Sequence, residues 1–313
     1  MKILVPDTID LDLVSTDGLE VVTVSAQAES YGGHEDAEML VVWQNSPKNL
    51  AAAARELPNL LLVQALAAGP DAVLQAGFAD NVLIASGRGL HDIPVAEHTL
   101  ALTLAAVRRL THLADEQRAH RWDSVYNPAQ ADPATAPQYT LHGATVAIWG
   151  FGSIAALLAP MLTALGAQVV GVATTAGERH GFAVVASEAV DELLARTDVL
   201  ISLVPHTADT ESLFSAELFG RLKRGAVFIN SGRGRTVDEA ALIAALESGQ
   251  LRAAAVDVTR EEPLPPESDL WDAPNLLVTP HIAGNRPVGA RELVAANAAA
   301  LASGEGIRNL VAR

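Results

Sequence analysis

Residues 147–175, AIWGFGSIAALLAPMLTALGAQVVGVATT, decide the fold. They begin as an apolar strand, turn through Gly150 and Gly152, and continue into an apolar helix that begins near Ser153. In such a unit the first glycine permits the tight turn, and the second lets the backbone approach a pyrophosphate at the positive helix end. The segment therefore predicts a dinucleotide-binding turn.

Two residues of the usual dinucleotide pattern are absent. Ala155 stands at the third glycine position, which governs only how closely the helix packs on the strand, so the turn is still complete. No Asp or Glu precedes Glu178 to bind the adenosine ribose hydroxyls. Thr174 and Thr175, followed by Arg179, favour a 2′-phosphate and hence NADP(H) over NAD(H); alternatively, Arg179 is a solvated loop arginine.

Apolar strand-like runs alternate with helix-like segments along the whole chain. Those of the first hundred residues are KILVP, EVVTV, MLVVW, LLLVQ and NVLIAS, and the later ones are TVAIWG, QVVGVAT, VLISLV, AVFINS, AAAVDV and LLVTP. Continuous apolar strands are buried on both faces, as in parallel sheets covered by helices. The two series predict an α/β protein with two parallel sheets.

A long helix over residues 94–110, with Pro94 at its start, is expected to link the two sheets. Residues 121–141 contain three prolines and no periodicity, which predicts an irregular loop. An Ala-rich helix near the end is expected to cross back to the first sheet. The predicted domains are 1–93 with 288–313, and 94–287.

Charge and composition exclude several classes of protein. The net charge of −16 opposes binding to nucleic acid or anionic membranes. The absence of cysteine excludes disulfides and thiolate chemistry and fits a cytoplasmic protein. No apolar run reaches the ~18 residues that span a bilayer. We expect a soluble protein, and no metal site is predicted.

Three polar residues follow apolar strands. They therefore lie at the carboxyl ends of the strands, where open α/β sheets bind ligands. Arg233 lies between two glycines, Glu262 precedes a proline, and His281 follows one. Taken singly, these are ordinary turn, loop and structural residues. Thr236 and Glu239 have the spacing of a capping box for the next helix.

Together with the dinucleotide turn, however, these segments make the chain resemble the D-2-hydroxyacid dehydrogenase family over nearly its whole length. The family's motifs occur in order, as LLLVQALAAGPD (61–72), GRGLHDIPVAEHTLALTLAAVRR (87–109), GFGSIA (150–155), LVPHTADT (203–210), NSGRGRTVDEAAL (230–242), DVTREEPLP (257–265) and NLLVTPHIAG (275–284). The resemblance implies a Rossmann cofactor domain and a discontinuous flavodoxin-like substrate domain. It also implies a homodimer held by the linking helix and the Pro-rich loop.

The resemblance also implies the roles of individual residues. Arg233 would bind the substrate carboxylate and keto oxygen, His281 would be the acid/base, and Glu262 would pair with it. Asp257 would hold the nicotinamide amide. Arg88 is either a further substrate contact or a structural loop arginine. These roles match the chemistry, because the reduction of a keto acid needs a hydride donor, a proton donor and a cation. The nicotinamide, His281 and Arg233 would supply them.

Three features depart from the family pattern. Pro70 stands in the small-residue turn that offers N–H groups to the substrate carboxylate, Gly232 replaces a usual Ala or Cys, and the acidic residue expected near Thr174 is missing. His206 matches a family variant near the cofactor and is expected to be structural. Trp122 is expected to line the cleft or the dimer contact.

The sequence thus predicts an NAD(P)-dependent reductase of small anionic 2-keto acids, of the glyoxylate/hydroxypyruvate or 3-phosphoglycerate type. A dinucleotide-sensing, corepressor-like binding protein of the same fold stays open as the alternative. The predicted cofactor-binding residues are Gly150, Gly152, Ser153, Ile154, Thr174, Thr175, Val204, Pro205, Thr210, Asp257 and Gly284. The predicted substrate-binding residues are Ala67, Ala68, Gly69 and Arg88.

Overall fold

The structure, a computed structural model, describes residues 1–311 of the 313-residue chain. Strands and helices alternate in the first part of the chain. Their bounds are β1 Lys2–Pro6, β2 Glu20–Val24, β3 Met39–Val42, α1 Pro47–Glu56, β4 Leu62–Ala65, α2 Asp71–Gln75 and β5 Leu83–Ala85.

These five strands form one parallel sheet in the order β2-β1-β3-β4-β5. Strands β3 and β4 are buried along their whole length, as expected for apolar strands that are covered on both faces. Helix α1 begins after Ser46, whose hydroxyl accepts the Asn49 amide, and has Pro47 in its first turn. The first apolar series of the sequence therefore forms the sheet it predicts.

The second part of the chain starts with helices α3 Asp92–Val107, α4 Leu110–Arg118 and α5 Tyr126–Ala131. The elements that follow are β6 Thr145–Trp149, α6 Ser153–Ala164, β7 Gln168–Ala173, β8 Gly177–Arg179, β9 Phe182–Ala186, α7 Asp191–Leu194, β10 Val199–Ser202, α8 Ala216–Arg221, β11 Ala226–Asn230, α9 Glu239–Glu247, β12 Leu251–Val256 and β13 Leu276–Val278. Short 3₁₀ turns occupy Ala136–Tyr139, Ser187–Ala189, Ala208–Thr210, Gly234–Thr236 and Asp269–Asp272.

The eight strands β6 to β13 form a second sheet in the order β13-β12-β11-β10-β6-β7-β9-β8. All neighbours are parallel except β8 and β9. Strands β7, β9 and β8 lie on one side of β6, and β10 to β13 lie on its other side, so the order of the strands reverses at β6. Open α/β sheets bind ligands outside the carboxyl ends of their strands at such a reversal.

The last helix, α10 Ala290–Ser303, packs on the five-stranded sheet, where Leu293 and Val294 join the core that contains Ile3. The chain accordingly divides into one unit of Met1–His91 with the residues from Asn285 onward, and a second unit of Asp92–Gly284. Within residues 1–311, no helix is both long and apolar enough to cross a membrane.

The predicted fold class is confirmed, but one local prediction is wrong and one strand pair has no counterpart in the sequence analysis. The segment expected to be an irregular loop, 121–141, contains α5 and the 3₁₀ turn Ala136–Tyr139. The antiparallel pair β8–β9 was not predicted, and it places Arg179 on a strand rather than in a loop. The three residues of β8, Gly-Glu-Arg, are too few and too polar to give a strand pattern.

Candidate active site

The dinucleotide turn lies between β6 and α6 and has the backbone that its glycines predict. Gly150 has φ +95°, and a Cβ there would lie 2.7 Å from the carbonyl carbon and oxygen of Leu203. Gly152 caps α6 without a side-chain hydrogen bond, and nothing lies within 4 Å of its Cβ position. Ala155 is fully buried beneath the turn, so its methyl group fits the packing position. Ser153 and Ile154 form the first helical turn, which leaves helix N–H groups available to an anion.

Two buried hydroxyls at the neighbouring strand ends also fit a bound cofactor. Ser202 ends β10 and Ser231 follows β11, and the Ser231 amide donates to the Ser202 carbonyl at 3.1 Å. The Oγ atoms of both serines have no hydrogen-bond partner among residues 1–311. Because buried polar atoms are rarely left unpaired in folded proteins, such orphans at a ligand crevice indicate groups that a ligand satisfies. The residues present therefore fit a dinucleotide.

The end of β7 carries hydroxyls and a cation where a carboxylate is common. Thr174 and Thr175 follow Ala173 directly, and the Arg179 guanidinium donates to Thr175 Oγ1 at 2.9 Å and to its carbonyl at 3.3 Å. The β8–β9 pair therefore brings a positive charge back to this strand end. All three residues belong to the second unit.

Three loops after β10, β12 and β13 carry the remaining predicted cofactor residues. Val204 is buried, and Thr210 donates its hydroxyl to the Pro205 carbonyl at 2.8 Å, which closes the loop after β10. Asp257 follows β12 directly. Gly284 is the last residue of the second unit.

His281 and Glu262 form a close pair at the same edge of the sheet. His281 Nδ1 lies 2.6 Å from Glu262 Oε2, and Glu262 Oε1 accepts the Thr259 amide at 3.1 Å. The His281 side chain is 48% exposed, so its ring has one side bound to the carboxylate and another open to a ligand. This is the arrangement of a proton donor oriented by a carboxylate.

His281 and Glu262 shift each other's pKa values. The hydrogen bond to Glu262 raises the pKa of His281 above its usual value of 6.5, against opposing effects of burial and the Arg233 charge. Burial alone would raise the pKa of Glu262, but the hydrogen bond and charge of His281, the Thr259 amide and Arg233 together lower it. The pair therefore favours an imidazolium beside a carboxylate more than the isolated side chains would.

Arg233 follows β11 in a turn that only small neighbours allow. A Cβ on Gly234 would lie 1.9 Å from the Thr259 carbonyl oxygen, and one on Gly232 would lie 2.7 Å from the Val204 carbonyl oxygen. The fully buried Asn230 donates to the Arg233 carbonyl at 3.2 Å and accepts the Gly232 amide at 3.0 Å. The departure from the family pattern at Gly232 thus matches a close backbone approach in this chain.

The Arg233 guanidinium makes one hydrogen bond to the described chain. Its Nη1 donates to the Gly232 carbonyl at 2.8 Å. A planar guanidinium carries five N–H donors, so most of them are open to a carboxylate or keto oxygen. Its charge also acts on His281, whose pKa it lowers.

The predicted capping box of Thr236 and Glu239 is wrong. The helix α9 is capped by Asp238, whose carboxylate accepts the Ala241 amide at 3.1 Å. Thr236 instead donates to the Arg233 carbonyl at 2.6 Å, and Glu239 accepts the Arg260 amide at 2.7 Å. The helix thus begins two residues later than the motif indicates, and Thr236 closes the Arg233 turn while Glu239 binds the loop after β12.

Asp257 is 1% exposed and binds the turn that carries His281. Its carboxylate accepts Thr279 Oγ1 at 2.6 Å and the amides of Ile282 at 3.1 Å and Ala283 at 2.9 Å. The His281 amide donates to the Asp257 carbonyl at 2.7 Å, and His281 has φ +51°. Asp257 therefore fixes an unusual backbone conformation at the histidine.

His98 is a residue of this site that the sequence did not single out. From helix α3, its Nε2 lies 3.1 Å from Thr279 Oγ1 and 3.3 Å from Asp257 Oδ1. No local pattern marks it, because a histidine inside a helical segment has no distinctive spacing. Among the described residues, no group of three or more His, Asp or Glu side chains is arranged to hold a metal ion.

The predicted substrate turn of Ala67, Ala68 and Gly69 lies in the first unit, after β4. The Gly87 amide donates to the Ala67 carbonyl at 2.8 Å, and His91 Nε2 donates to the Leu66 carbonyl at 2.7 Å. These bonds fix the turn.

The two flanking residues of the substrate turn lie in the same unit. Pro70 is the residue before α2, and Arg88, which follows β5, has its carbonyl bound by Asn309 at 2.8 Å. The side chain of Arg88 is exposed.

Fold and site together define a dinucleotide-dependent α/β oxidoreductase, and comparisons with known proteins give the family. Residues 100–283 match the D-isomer specific 2-hydroxyacid dehydrogenase NAD-binding domain. The glyoxylate/hydroxypyruvate reductase A of Salmonella paratyphi B is 34% identical over 284 residues, which cover 90% of this chain and 88% of that protein. The chain belongs to the D-isomer specific 2-hydroxyacid dehydrogenase family.

Solved structures agree with this assignment. A family member from Aeromonas salmonicida has a TM-score of 0.84 at 27% identity, covering 99% of this chain and 98% of its own. The NADPH-dependent glyoxylate/hydroxypyruvate reductase of Sinorhizobium meliloti, solved with NADP and sulfate, has a TM-score of 0.79 at 28% identity, covering 99% and 97%. The protein is thus an NAD(P)-dependent 2-hydroxyacid dehydrogenase similar to glyoxylate/hydroxypyruvate reductases.

Proposed function

We propose that the protein reduces a small 2-keto acid, of the glyoxylate or hydroxypyruvate kind, to its D-2-hydroxy acid with NADPH. The observation that carries this proposal is the 2.6 Å contact of His281 with Glu262, within the field of Arg233. These residues provide a proton donor and a cation beside a turn that fits a dinucleotide. A reduced nicotinamide, when bound, supplies the hydride.

Arg233 orients the substrate and polarises its carbonyl. Its open N–H donors match the planar carboxylate of a 2-keto acid, and the same charge stabilises the negative charge that develops on the keto oxygen. From the family resemblance alone, we propose that the backbone N–H groups of the turn Ala67, Ala68 and Gly69 also bind the substrate carboxylate, and that Arg88 is either a further substrate contact or a structural loop arginine.

His281 donates the proton to the keto oxygen. The carboxylate of Glu262 keeps the imidazole protonated and holds Nδ1, which leaves Nε2 as the donating atom. In the oxidation direction the neutral imidazole accepts the hydroxyl proton at the same atom.

The preference for NADPH rests on the end of β7. Thr174, Thr175 and Arg179 offer hydroxyl donors and a positive charge to a 2′-phosphate, and no carboxylate stands before Glu178 to repel it. The similar protein from Xanthobacter autotrophicus, 30% identical and with a TM-score of 0.77, was solved with NADPH and MES.

We also propose a homodimer formed through residues 92–141. Trp122 is 95% exposed and Val125 is 75% exposed, and the two side chains line one surface depression, so their apolar area is contiguous. A second copy of the chain would cover them. A solution mass of two chains supports this proposal, and a mass of one chain contradicts it. The cytoplasmic location expected from the sequence stays a prediction.

A panel of keto acids, assayed with NADH and NADPH by the absorbance at 340 nm, tests the proposed reaction. We expect turnover of glyoxylate and hydroxypyruvate and a higher kcat/KM with NADPH. Tight cofactor binding without turnover of any keto acid would contradict the proposal and favour a dinucleotide-sensing protein.

The Arg179→Ala variant tests the cofactor preference. Loss of the cation should lower kcat/KM for NADPH and leave that for NADH nearly unchanged. The matched control is Arg196→Ala, an exposed arginine of the same unit, which should leave the ratio unchanged. A parent enzyme that prefers NADH would overturn this part of the proposal.

A further inference from the structure

Three polar side chains outside the proposed catalytic trio join two loops at the carboxyl ends of the strands. Arg260 Nη2 lies 2.5 Å from Glu211 Oε1, and His206 Nε2 lies 2.5 Å from Glu211 Oε2. Glu211 and His206 belong to the loop after β10, and Arg260 belongs to the loop after β12. We call these three residues the Glu211 bridge.

Arg260 also binds the backbone of the turn that carries the substrate arginine. Its Nη1 donates to the carbonyls of Arg235 at 3.3 Å and Val237 at 3.2 Å, and to Ser212 Oγ at 3.1 Å. The two carbonyls belong to residues on and just after the 3₁₀ turn Gly234–Thr236. This turn follows Arg233 directly, so the guanidinium of Arg260 restrains the chain immediately beyond the substrate arginine.

The same loop carries the partner of the catalytic histidine. Glu262 is two residues beyond Arg260, and its Oε1 accepts the Thr259 amide. The Thr259 carbonyl packs against Gly234, with no room for a side chain between them. A displacement of residues 259–262 would therefore move Glu262 relative to both His281 and the Arg233 turn.

We propose that Arg260, held by Glu211, is a positioning residue that sets the spacing of the Glu262 loop and the Arg233 turn. An exposed ion pair alone contributes little, because solvent screens it and two side chains lose freedom. Here the planar guanidinium joins its own loop to four acceptors on two other loops, which a lysine ammonium cannot match in geometry. The bridge thus acts on catalysis through the geometry of two catalytic groups. The kinetic part of the inference rests on the proposed function.

The variants Arg260→Met, Arg260→Lys and Glu211→Gln test this proposal. We expect Arg260→Met to lower kcat about tenfold, as roughly 1 Å of misplacement at an active site can do more than that. Arg260→Lys should recover only part of the loss. In the double variant Arg260→Met with Glu211→Gln, the losses should not add, since both remove one interaction.

A control separates positioning from general destabilisation. Arg221→Met removes another exposed ion pair of the same unit, with Asp191, away from the three loops. It should leave kcat unchanged. An equal loss of kcat in Arg221→Met and Arg260→Met would contradict the proposal.

The titration of His281 gives a readout that does not depend on turnover. Its imidazole signal, assigned by comparison with His281→Ala, can be followed by NMR against pH in the parent and in Arg260→Met. A looser Glu262 loop should weaken the His281–Glu262 contact and lower the pKa of His281. A shifted pKa in a parent that reduces no keto acid would support the positioning role and refute the proposed function. An unchanged pKa together with an unchanged kcat would overturn the positioning role.

Discussion

The two edges of the eight-stranded sheet use their charged side chains differently. At the amino-terminal edge, Arg252 donates to the Val107 carbonyl at the end of α3, and Arg224 donates to the Ser248 carbonyl at the end of α9. Lys223 pairs with Asp198 at 2.6 Å. These cations satisfy carbonyls and a carboxylate of the fold itself, as is typical of basic residues at helix C-termini.

At the carboxyl ends of the strands, several polar groups have few or no hydrogen-bond partners among the described residues. The hydroxyls of Ser202 and Ser231 are buried without partners among the described residues, and Arg233 makes a single hydrogen bond to a neighbouring carbonyl. His281 is bound on one side and half-exposed. Unsatisfied or lightly held polar groups are costly in a folded chain, and such groups cluster where a ligand completes them. The difference indicates which edge stabilises the fold and which performs chemistry.

The largest expected loss comes from His281→Ala. Removing the proton donor should lower kcat by ~10²–10⁴-fold, the range for general acid catalysis. NADPH binding, followed by fluorescence titration, should stay within a factor of about two because the dinucleotide turn is unchanged. A variant with the turnover of the parent would refute the role of His281.

Arg233→Gln is expected to have the next largest effect. Loss of the cation should lower kcat/KM by ~10²–10³-fold, because both substrate orientation and stabilisation of the keto oxygen are lost. Arg235→Gln, an exposed arginine in the same turn, is the matched control and should leave kcat/KM nearly unchanged. Equal effects of the two variants would place the substrate cation elsewhere.

Asp257→Asn should affect stability as well as activity. The amide side chain cannot accept all of the hydrogen bonds from Thr279, Ile282 and Ala283, so the free energy of unfolding should fall by about 1–3 kcal/mol. The His281 turn would loosen, and kcat should fall. Thermal unfolding and steady-state kinetics measure the two effects, and an unchanged melting temperature would contradict the structural role.

Arg252→Met should have the smallest effect, because it changes the amino-terminal edge. Burial lowers the pKa of Arg252 to about 10, and its guanidinium lies 5.8 Å from the ring centre of Tyr139. Loss of this cation–π contact and one hydrogen bond should reduce the free energy of unfolding by about 1 kcal/mol. The value of kcat should be unchanged. A large loss of kcat would contradict the claim that the amino-terminal end of the sheet serves only the stability of the fold.

Much of the fold follows from the sequence because continuous apolar runs and the Gly150–Gly152 turn are local signals. Arg233, Glu262 and His281 each follow a strand, which predicts that they meet at one end of the sheet, but only the resemblance of their motifs to the dehydrogenase family assigns their roles. The helix cap at Asp238 and the contacts of His98 with Asp257 depend on tertiary packing. The strand β8 has no local pattern, so its placement of Arg179 beside Thr175 could not be derived.

The pH dependence of kcat/KM for keto acid reduction tests the central claim most directly. In the proposed mechanism, reduction requires protonated His281, whose pKa is raised above 6.5 chiefly by the hydrogen bond to Glu262. Activity should therefore be full below this raised pKa and be lost as the pH rises through it. In Glu262→Gln the falling limb should move to lower pH, because the neutral amide no longer stabilises the imidazolium. A falling limb at the same pH in both proteins would contradict the account.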